Sequence, residues 1–203
     1  MNPYERSDNA IKKFNRLAMK RLEVVKGRLL IKGFDELNVF KEVDALYRYW
    51  YKAAKKILTE LWLAVYRDVR DTDAAEELLE MHMAGLLDEP NPVTKFIFTL
   101  EVTRKRDRAK EAVNSVPGKT PKQVELDKAL RELARVFSWY SDITEEDANI
   151  QGQKDEGVKK VQRHERQDKK TCAACRSADG EIYDIDKIPD APHPNCRRWF
   201  TPV

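Results

Sequence analysis

Four residues near the C-terminus have the types and the spacing of a zinc site. The chain has three cysteines, which with one histidine form two close pairs, Cys172-x-x-Cys175 and His193-x-x-Cys196. Two intervening residues let a tight turn aim both donors of a pair at one point, and tetrahedral Zn²⁺ is usually bound by two such pairs. The 17 residues between the pairs are enough for a β-hairpin that returns the second pair to the first. Because three cysteines and a histidine fill every position, the pattern predicts a structural zinc ion and not a catalytic one.

Other chemistries of the same residues fit less well. A redox Cys-x-x-Cys pair is typical of a βαβ context, and none surrounds Cys172 and Cys175. A disulfide would leave one of the three cysteines unpaired. Buried thiols without a metal remain the main alternative. Asp168, four residues before the first cysteine, has two further interpretations: it accepts a backbone N–H at the knuckle or orients His193, or it is a solvated carboxylate.

The same stretch resembles the C-terminal signature of the Mu F-type minor head (head morphogenesis) proteins of tailed bacteriophages. The matching residues are Asp168, Thr171, Cys172, Cys175, Asp179, Gly180, His193, Pro194, Asn195, Cys196 and Arg197. A looser similarity covers residues 103–113 and 148–152. The family commonly ends in Cys-Arg-Cys, whereas this chain has Arg198 in place of the last cysteine. If that cysteine is a ligand in relatives, His193 would have to complete the site here. An aromatic residue usual on the strand before Asp168 is also missing.

The resemblance implies a structural protein of the phage head. A minor head protein joins the procapsid and is found near the portal protein, so the implied partners are the portal and the capsid or procapsid proteins. The implied location is the virion, in the head interior or the portal region, after assembly in the host cytoplasm. Contact with the packaged DNA and an oligomeric state in the virion are left open by the resemblance.

Helical periodicity dominates the first 150 residues. Apolar residues recur three or four apart, which predicts helices at about 8–26, 38–70, 72–87, 92–115 and 121–140, and a short sixth helix from about 144 to 157. Ser7, Thr72, Thr120 and Thr144 are the predicted caps. The stretch 38–70 contains neither glycine nor proline, so it is expected to be the longest helix and to pack against several others or another chain.

The periodicity changes after residue 157. Val158 and Val161 among charged residues predict a strand, and residues 181–185 alternate after the turn dipeptide Asp179-Gly180. A segment this small cannot bury enough apolar surface to fold alone, so bound metal must supply the missing free energy. The predicted fold is α+β and mainly α, with a helical body over residues 1–150 and a zinc-stabilised β module over 151–203.

Composition limits the classes of function. Lysine and arginine number 38 and aspartate and glutamate 35, and the net charge of +3 is too small for a general affinity for nucleic acid. No run of about 20 apolar residues is present, so no membrane span is expected. The N-terminus lacks the apolar core of a signal peptide, and a reducing cytoplasm agrees with free thiols.

Two basic clusters are candidates for contact with phosphates or with an acidic partner surface. The first comprises Arg104, Lys105, Arg106, Arg108 and Lys110, which alternate with acidic residues as on a solvated helix. The second surrounds the knuckle and comprises Lys159, Lys160, Arg163, Arg166, Lys169, Lys170, Arg197 and Arg198.

The sequence contains no Gly-rich phosphate loop, nucleophile elbow or His-Glu-x-x-His motif, so it does not predict an enzyme. The leading hypothesis is a structural minor head protein with a zinc site. The alternative is a nucleic-acid-binding protein that uses the basic zinc knuckle as its reader.

Overall fold

The computed structural model describes residues 4–70, 75–90, 97–169, 171–193 and 196–203. Within them the chain forms five long or medium helices, a short sixth helix and one three-stranded sheet. The elements are α1 (Glu5–Lys32), α2 (Glu36–Val69), α3 (Ala75–Asp88), α4 (Phe98–Ser115), α5 (Lys119–Asp155), β1 (Lys160–Glu165), α6 (Ala173–Ser177), β2 (Ile182–Asp184) and β3 (Arg198–Pro202). The predicted α+β, mainly α class is confirmed. No helix among the described residues is both long and apolar enough to span a membrane.

The helices pack as a bundle around α2 and α5. α2 contacts α1, α3, α4 and α5, as expected for so long an apolar stripe. Its start is fixed by Asp35, whose backbone is extended and whose side-chain Oδ1 accepts the Asn38 N–H at 2.9 Å. The core includes the fully buried rings of Trp50 and Trp62, and Phe14 of α1 stacks on Phe137 of α5 with 4.1 Å between ring centroids.

Several predicted helix ends are wrong. α1 begins before Ser7, which is buried inside it, and continues past residue 26 to Gly33, whose φ of 100° ends the helix. α5 begins after Gly118 and not at Thr120. The predicted sixth helix is the continuation of α5, because Thr144 donates its hydroxyl to the Tyr140 carbonyl at 2.6 Å instead of capping a new helix. α5 therefore has 37 residues and exceeds the 34 of α2. The predicted cap Thr72 and start at 92 lie outside the described residues.

The sheet is antiparallel, with strand order β2-β1-β3. Gly152 of α5 lies against Val69. A side chain at this position would clash, because an added Cβ would lie 2.9 Å from the Cβ of Val69. Beyond it the end of α5 supports the sheet. Gln153 Nε2 donates to the Phe200 carbonyl at 2.8 Å, and the Asn149 carboxamide oxygen accepts the Phe200 N–H at 3.3 Å. α5 thus covers the outer edge of β3 and ends five residues beyond the expected boundary at 150.

The expected hairpin between the two ligand pairs is wrong. β2 pairs with β1, with Val161 opposite Tyr183. The first ligand pair lies in the connection between these two strands, and the second pair follows β2. The strand that follows the second pair, β3, had not been predicted. It pairs with the other side of β1, with Arg163 opposite Phe200. The end of β1 and the start of β3, where Glu165 pairs with Arg198, therefore lie beside both ligand pairs.

Candidate metal centre

The first ligand pair is formed by the start of α6. Cys172 is the residue before the helix, with an extended backbone, and its Sγ accepts the Cys175 N–H at 3.4 Å. This turn directs both sulfurs to the same side. Cys175 is buried and Cys172 half-buried.

The second pair meets the first, as the spacing predicted. His193 Nε2 lies 3.2 Å from the Cys172 sulfur and 3.4 Å from the Cys175 sulfur. The Cys196 sulfur lies 3.3 Å from the Cys175 sulfur. The Cys196 N–H donates to the His193 carbonyl at 3.1 Å, so this pair is also closed by a turn. All four predicted ligands therefore converge on one place.

The geometry fits a metal ion. With Zn–S bonds of about 2.3 Å and tetrahedral angles, neighbouring donors should be separated by about 3.5–3.8 Å. Of the six donor pairs in such a site, three lie at 3.2–3.4 Å, which is a little shorter. A cleft of about 790 Å³ between the module and the helices is lined by Cys172, His193, Asp8 and Asp142, among others, and provides a path for the ion. The cluster could therefore hold a metal.

A fifth donor, Glu165, was not predicted. Its carboxylate forms a close triad with Cys175 and Cys196, whereas Cys172, Cys175 and His193 form a second triad, with donor atoms within 4.8 Å of one another in each. Glu165 Oε1 lies 3.9 Å from the Cys196 sulfur. It is a strand residue with no ligand-like spacing to the cysteines, so only the fold brings it to the site.

A buried ion pair supports the cluster from β1. The side chains of Arg163 and Glu165 are 4% and 1% exposed, and Arg163 Nη2 lies 2.5 Å from Glu165 Oε1. The same guanidinium group donates to the Cys196 sulfur at 3.8 Å. The Arg163 cation favours the ionised, metal-binding form of the Cys196 thiol, whereas the neighbouring Glu165 carboxylate opposes it. Glu165 holds that cation in place.

The thiols differ in their proton affinity. The pKa of Cys172 is lowered to about 7, first by the hydrogen bond from the Cys175 N–H and then by His193. Burial raises the pKa of both Cys175 and Cys196. Metal binding must therefore displace protons from the two buried thiols, which makes binding stronger as the pH rises.

The knuckle is attached to β1 by the residues that carried the family resemblance. Asp179 Oδ1 accepts the Glu165 N–H at 2.7 Å, and the Gly180 N–H donates to the Arg163 carbonyl at 2.8 Å. Gly180 has a φ of 86°, a conformation that favours glycine. Asp168 Oδ1 accepts the Thr171 N–H at 3.1 Å, one of the roles considered for it, and the residue is exposed, as the interpretation as a solvated carboxylate expects.

The arginines of the second basic cluster form ion pairs with acidic residues of the chain. Arg163 and Arg198 are buried, so neither forms part of the surface patch suggested by the sequence. Arg198 binds Glu146 of α5 through two hydrogen bonds of 2.6 and 2.8 Å. Arg166 and Arg197 bind Asp8 of α1 at 3.0 and 2.8 Å. The exposed members are Lys159, Lys160 and Lys169, and Lys170 lies outside the described residues.

The first basic cluster is also divided by the fold. Lys105 is buried between Glu101 and Glu132, at 3.7 and 3.0 Å. Arg106 and Lys110 bind Asp44 of α2. Arg104 and Arg108 remain exposed. Much of this cluster therefore joins α4 to its neighbours.

The arrangement defines a helical bundle with a docked Cys₃His module able to hold a metal ion. No protein-family model, no curated protein and no solved structure matches the chain. Its chemistry must therefore be argued from its own residues.

Proposed function

We propose that this chain is a structural assembly protein of the tailed-phage head, of the minor head type, whose C-terminal module is held by a structural zinc ion. The observation that carries the proposal is the convergence of Cys172, Cys175, His193 and Cys196 beside a buried arginine. Zinc is the metal that three thiolates and an imidazole favour in a tetrahedral site. The four protein ligands leave no position for a catalytic water.

The way the module is attached supports a structural role. Arg197 of the module binds Asp8 of α1 at 2.8 Å and Asp142 of α5 at 3.4 Å, and its guanidinium lies 5.9 Å from the ring centre of Tyr4. The metal therefore stabilises a C-terminal module that packs against the N-terminal helix α1 and against α5. Such a rigid end on a long helical bundle suits a protein that makes contacts within an assembly, with the portal and the procapsid proteins as partners.

Within this proposal, Arg198 has a different role from the cysteine usual at this position in the family. Its guanidinium binds Glu146 and the Pro189 carbonyl, the latter at 2.6 Å. His193 supplies the fourth ligand instead. The internal ion pairs of these arginines also argue against the module as the reader of a nucleic acid.

Incorporation into heads tests the proposal. The chain would be co-expressed with the portal, scaffold and major capsid proteins of its own phage genome, and procapsids would be purified. We expect the wild-type chain in procapsids with one zinc per chain by elemental analysis, and loss of both with Cys175→Ser. Ala174→Ser, an exposed change in the same short helix, is the control. Metal-free protein, or full incorporation of Cys175→Ser, would contradict the proposal.

A further inference from the structure

Charge is unevenly distributed between the helices. α1 contains nine basic and three acidic residues, and α2 six basic and five acidic. These two helices thus carry a net charge of +7, although the whole chain carries only +3. The rest of the chain is net negative. The small total charge therefore conceals a strongly positive hairpin.

The exposed positive residues lie along the outer side of this hairpin. We call it the basic face, and it comprises Lys12, Arg16 and Lys20 of α1 with Arg48, Lys52, Lys55 and Lys56 of α2, all of them exposed. In α1 the three residues are four apart, so they form one row on the helix opposite its buried side. In α2 the four residues also lie opposite the buried stripe of Trp50 and Ile57.

Two contacts fix how these rows lie beside each other. Lys13 binds Glu60 at 2.5 Å, and the guanidinium of Arg21 lies 5.2 Å from the ring centre of Tyr49. Since α1 and α2 run antiparallel, Arg16 and Lys20 lie between these contacts on one helix and Lys52 to Lys56 on the other. The two rows therefore form one surface.

Most cations of the basic face form no ion pair with another described residue of the chain. Among the residues that the structure describes, Lys12, Arg16, Lys20, Arg48, Lys52 and Lys55 have no acidic partner within 4.0 Å. Glu60 lies among them but is paired with Lys13 and, at 4.0 Å, with Lys56. The arginines around the metal site, in contrast, are ion-paired internally.

We propose that the basic face binds the phosphate backbone of double-stranded DNA. Exposed cations in two adjacent rows can contact successive phosphates, and such contacts need no base-specific groups. From Lys12 to Lys20 and from Arg48 to Lys56 each row is about 12 Å long, which matches the axial rise of three to four phosphates of one DNA strand. Single-stranded DNA is usually bound by stacking of its bases on exposed aromatic rings. The basic face offers few such rings, because Tyr49 is covered by Arg21, so the surface favours a duplex.

The test is salt-dependent binding of the full chain to a labelled duplex of about 20 base pairs and mixed sequence, followed by fluorescence anisotropy from about 50 to 200 mM salt. One variant combines Lys12→Gln, Arg16→Gln, Lys52→Gln and Lys55→Gln. The matched control combines Lys119→Gln, Lys159→Gln, Lys160→Gln and Lys169→Gln, which removes the same charge from exposed positions elsewhere. Glutamine keeps helix propensity close to that of lysine and arginine.

We expect the wild-type chain to bind with an affinity that falls steeply with salt. The basic-face variant should lose at least about tenfold in affinity at low salt, and its log–log salt slope should decrease by about 3–4, near 0.9 for each lost phosphate contact. The control should keep the wild-type slope. Absence of wild-type binding, or equal losses in both variants, would overturn the proposal.

A polyglutamate peptide of matched charge separates DNA from an acidic protein as the partner. If the peptide binds as tightly as the duplex, the surface recognises acidic protein and the DNA proposal fails. This inference is independent of the assembly function and of zinc, because DNA binding and incorporation into procapsids are read separately.

Discussion

The helical body and the C-terminal module are stabilised in different ways. The body has a continuous apolar core contributed by α1 to α5, with Trp50, Trp62 and Phe14 fully buried. The module has a core of three buried residues, Val161, Ile185 and Phe200. Around that small core lie buried ions and the candidate metal ligands. Hydrophobic burial thus accounts for the first region, whereas the second depends on polar contacts, on the surface of α5 and, as we propose, on a bound metal.

Removal of the metal should have the largest effect, because structural zinc contributes on the order of 10 kcal/mol in small domains. With Cys175→Ser or a strong chelator, we expect the module to unfold while α1 to α5 remain folded. Hydrogen exchange measures this directly: protection should vanish in residues 160–202 and persist in the core of α2. A single cooperative loss over the whole chain would show that the two regions are not separable.

A substitution in the core of the helical body should destabilise both regions. Trp50→Ala leaves a cavity in the body and should lower its free energy of unfolding by about 3–5 kcal/mol. Because the module rests on α1 and α5, its exchange protection should fall as well. The measurement is chemical denaturation followed by far-UV circular dichroism and by metal release. Met19→Ala, at an exposed position of α1, is the control. Unchanged module protection in Trp50→Ala would mean that the module folds without the body.

The junction between the regions can be weakened at Arg198, which is buried and lies 5.4 Å from the ring centre of Phe200. Arg198→Gln removes the two hydrogen bonds to Glu146 and should cost about 2 kcal/mol, the range for bonds between charged groups. We expect faster exchange in β3 with the body unchanged. Arg176→Gln, at an exposed residue of α6, controls for loss of charge. If both variants behave alike, the Glu146 contact does not hold the module in place.

The two regions also differ in how well the sequence predicted them. Apolar periodicity located the helices of the body, but their ends depend on distant packing, as with Ser7 and Thr144, which are buried inside helices. In the module, ligand spacing identified the cluster because turns impose it locally. β3 was missed, since five residues become a strand only by pairing with β1.

The ion pairs could not be predicted from the sequence for a related reason. Arg197 and its partner Asp8 are 189 positions apart, so the arginine had been grouped with its sequence neighbours as surface charge. Glu165 has no ligand-like spacing to the cysteines. The basic face could not be recognised in the sequence because its members are spaced along two helices and form no contiguous run. Contacts between distant segments therefore decided which charges are buried and which are available.

The smallest predicted effect concerns protons at the junction. Burial raises the pKa of Glu145 of α5 to about 7 and that of the neighbouring Asp142 to about 6, in each case against partial stabilisation of the charge by Ser7 and Arg197. An acid with a raised pKa in the folded state binds its proton more tightly there than in the unfolded chain. Stability therefore falls as the pH rises through the folded-state pKa, and returns as the pH is lowered.

Glu145→Gln removes one of these titrations and keeps the shape of the protonated acid. The variant should be more stable than the wild type at pH 8, and this advantage should shrink by about 1 kcal/mol between pH 8 and pH 6. The quantity to measure is the difference in free energy of unfolding between the two proteins, since metal loss at low pH affects both. Glu111→Gln, at an exposed carboxylate, is the control for the loss of one acidic group. A constant difference for Glu145→Gln would show that this carboxylate does not take up a proton on folding, and that the junction is as permissive to charge as the solvent-exposed surface.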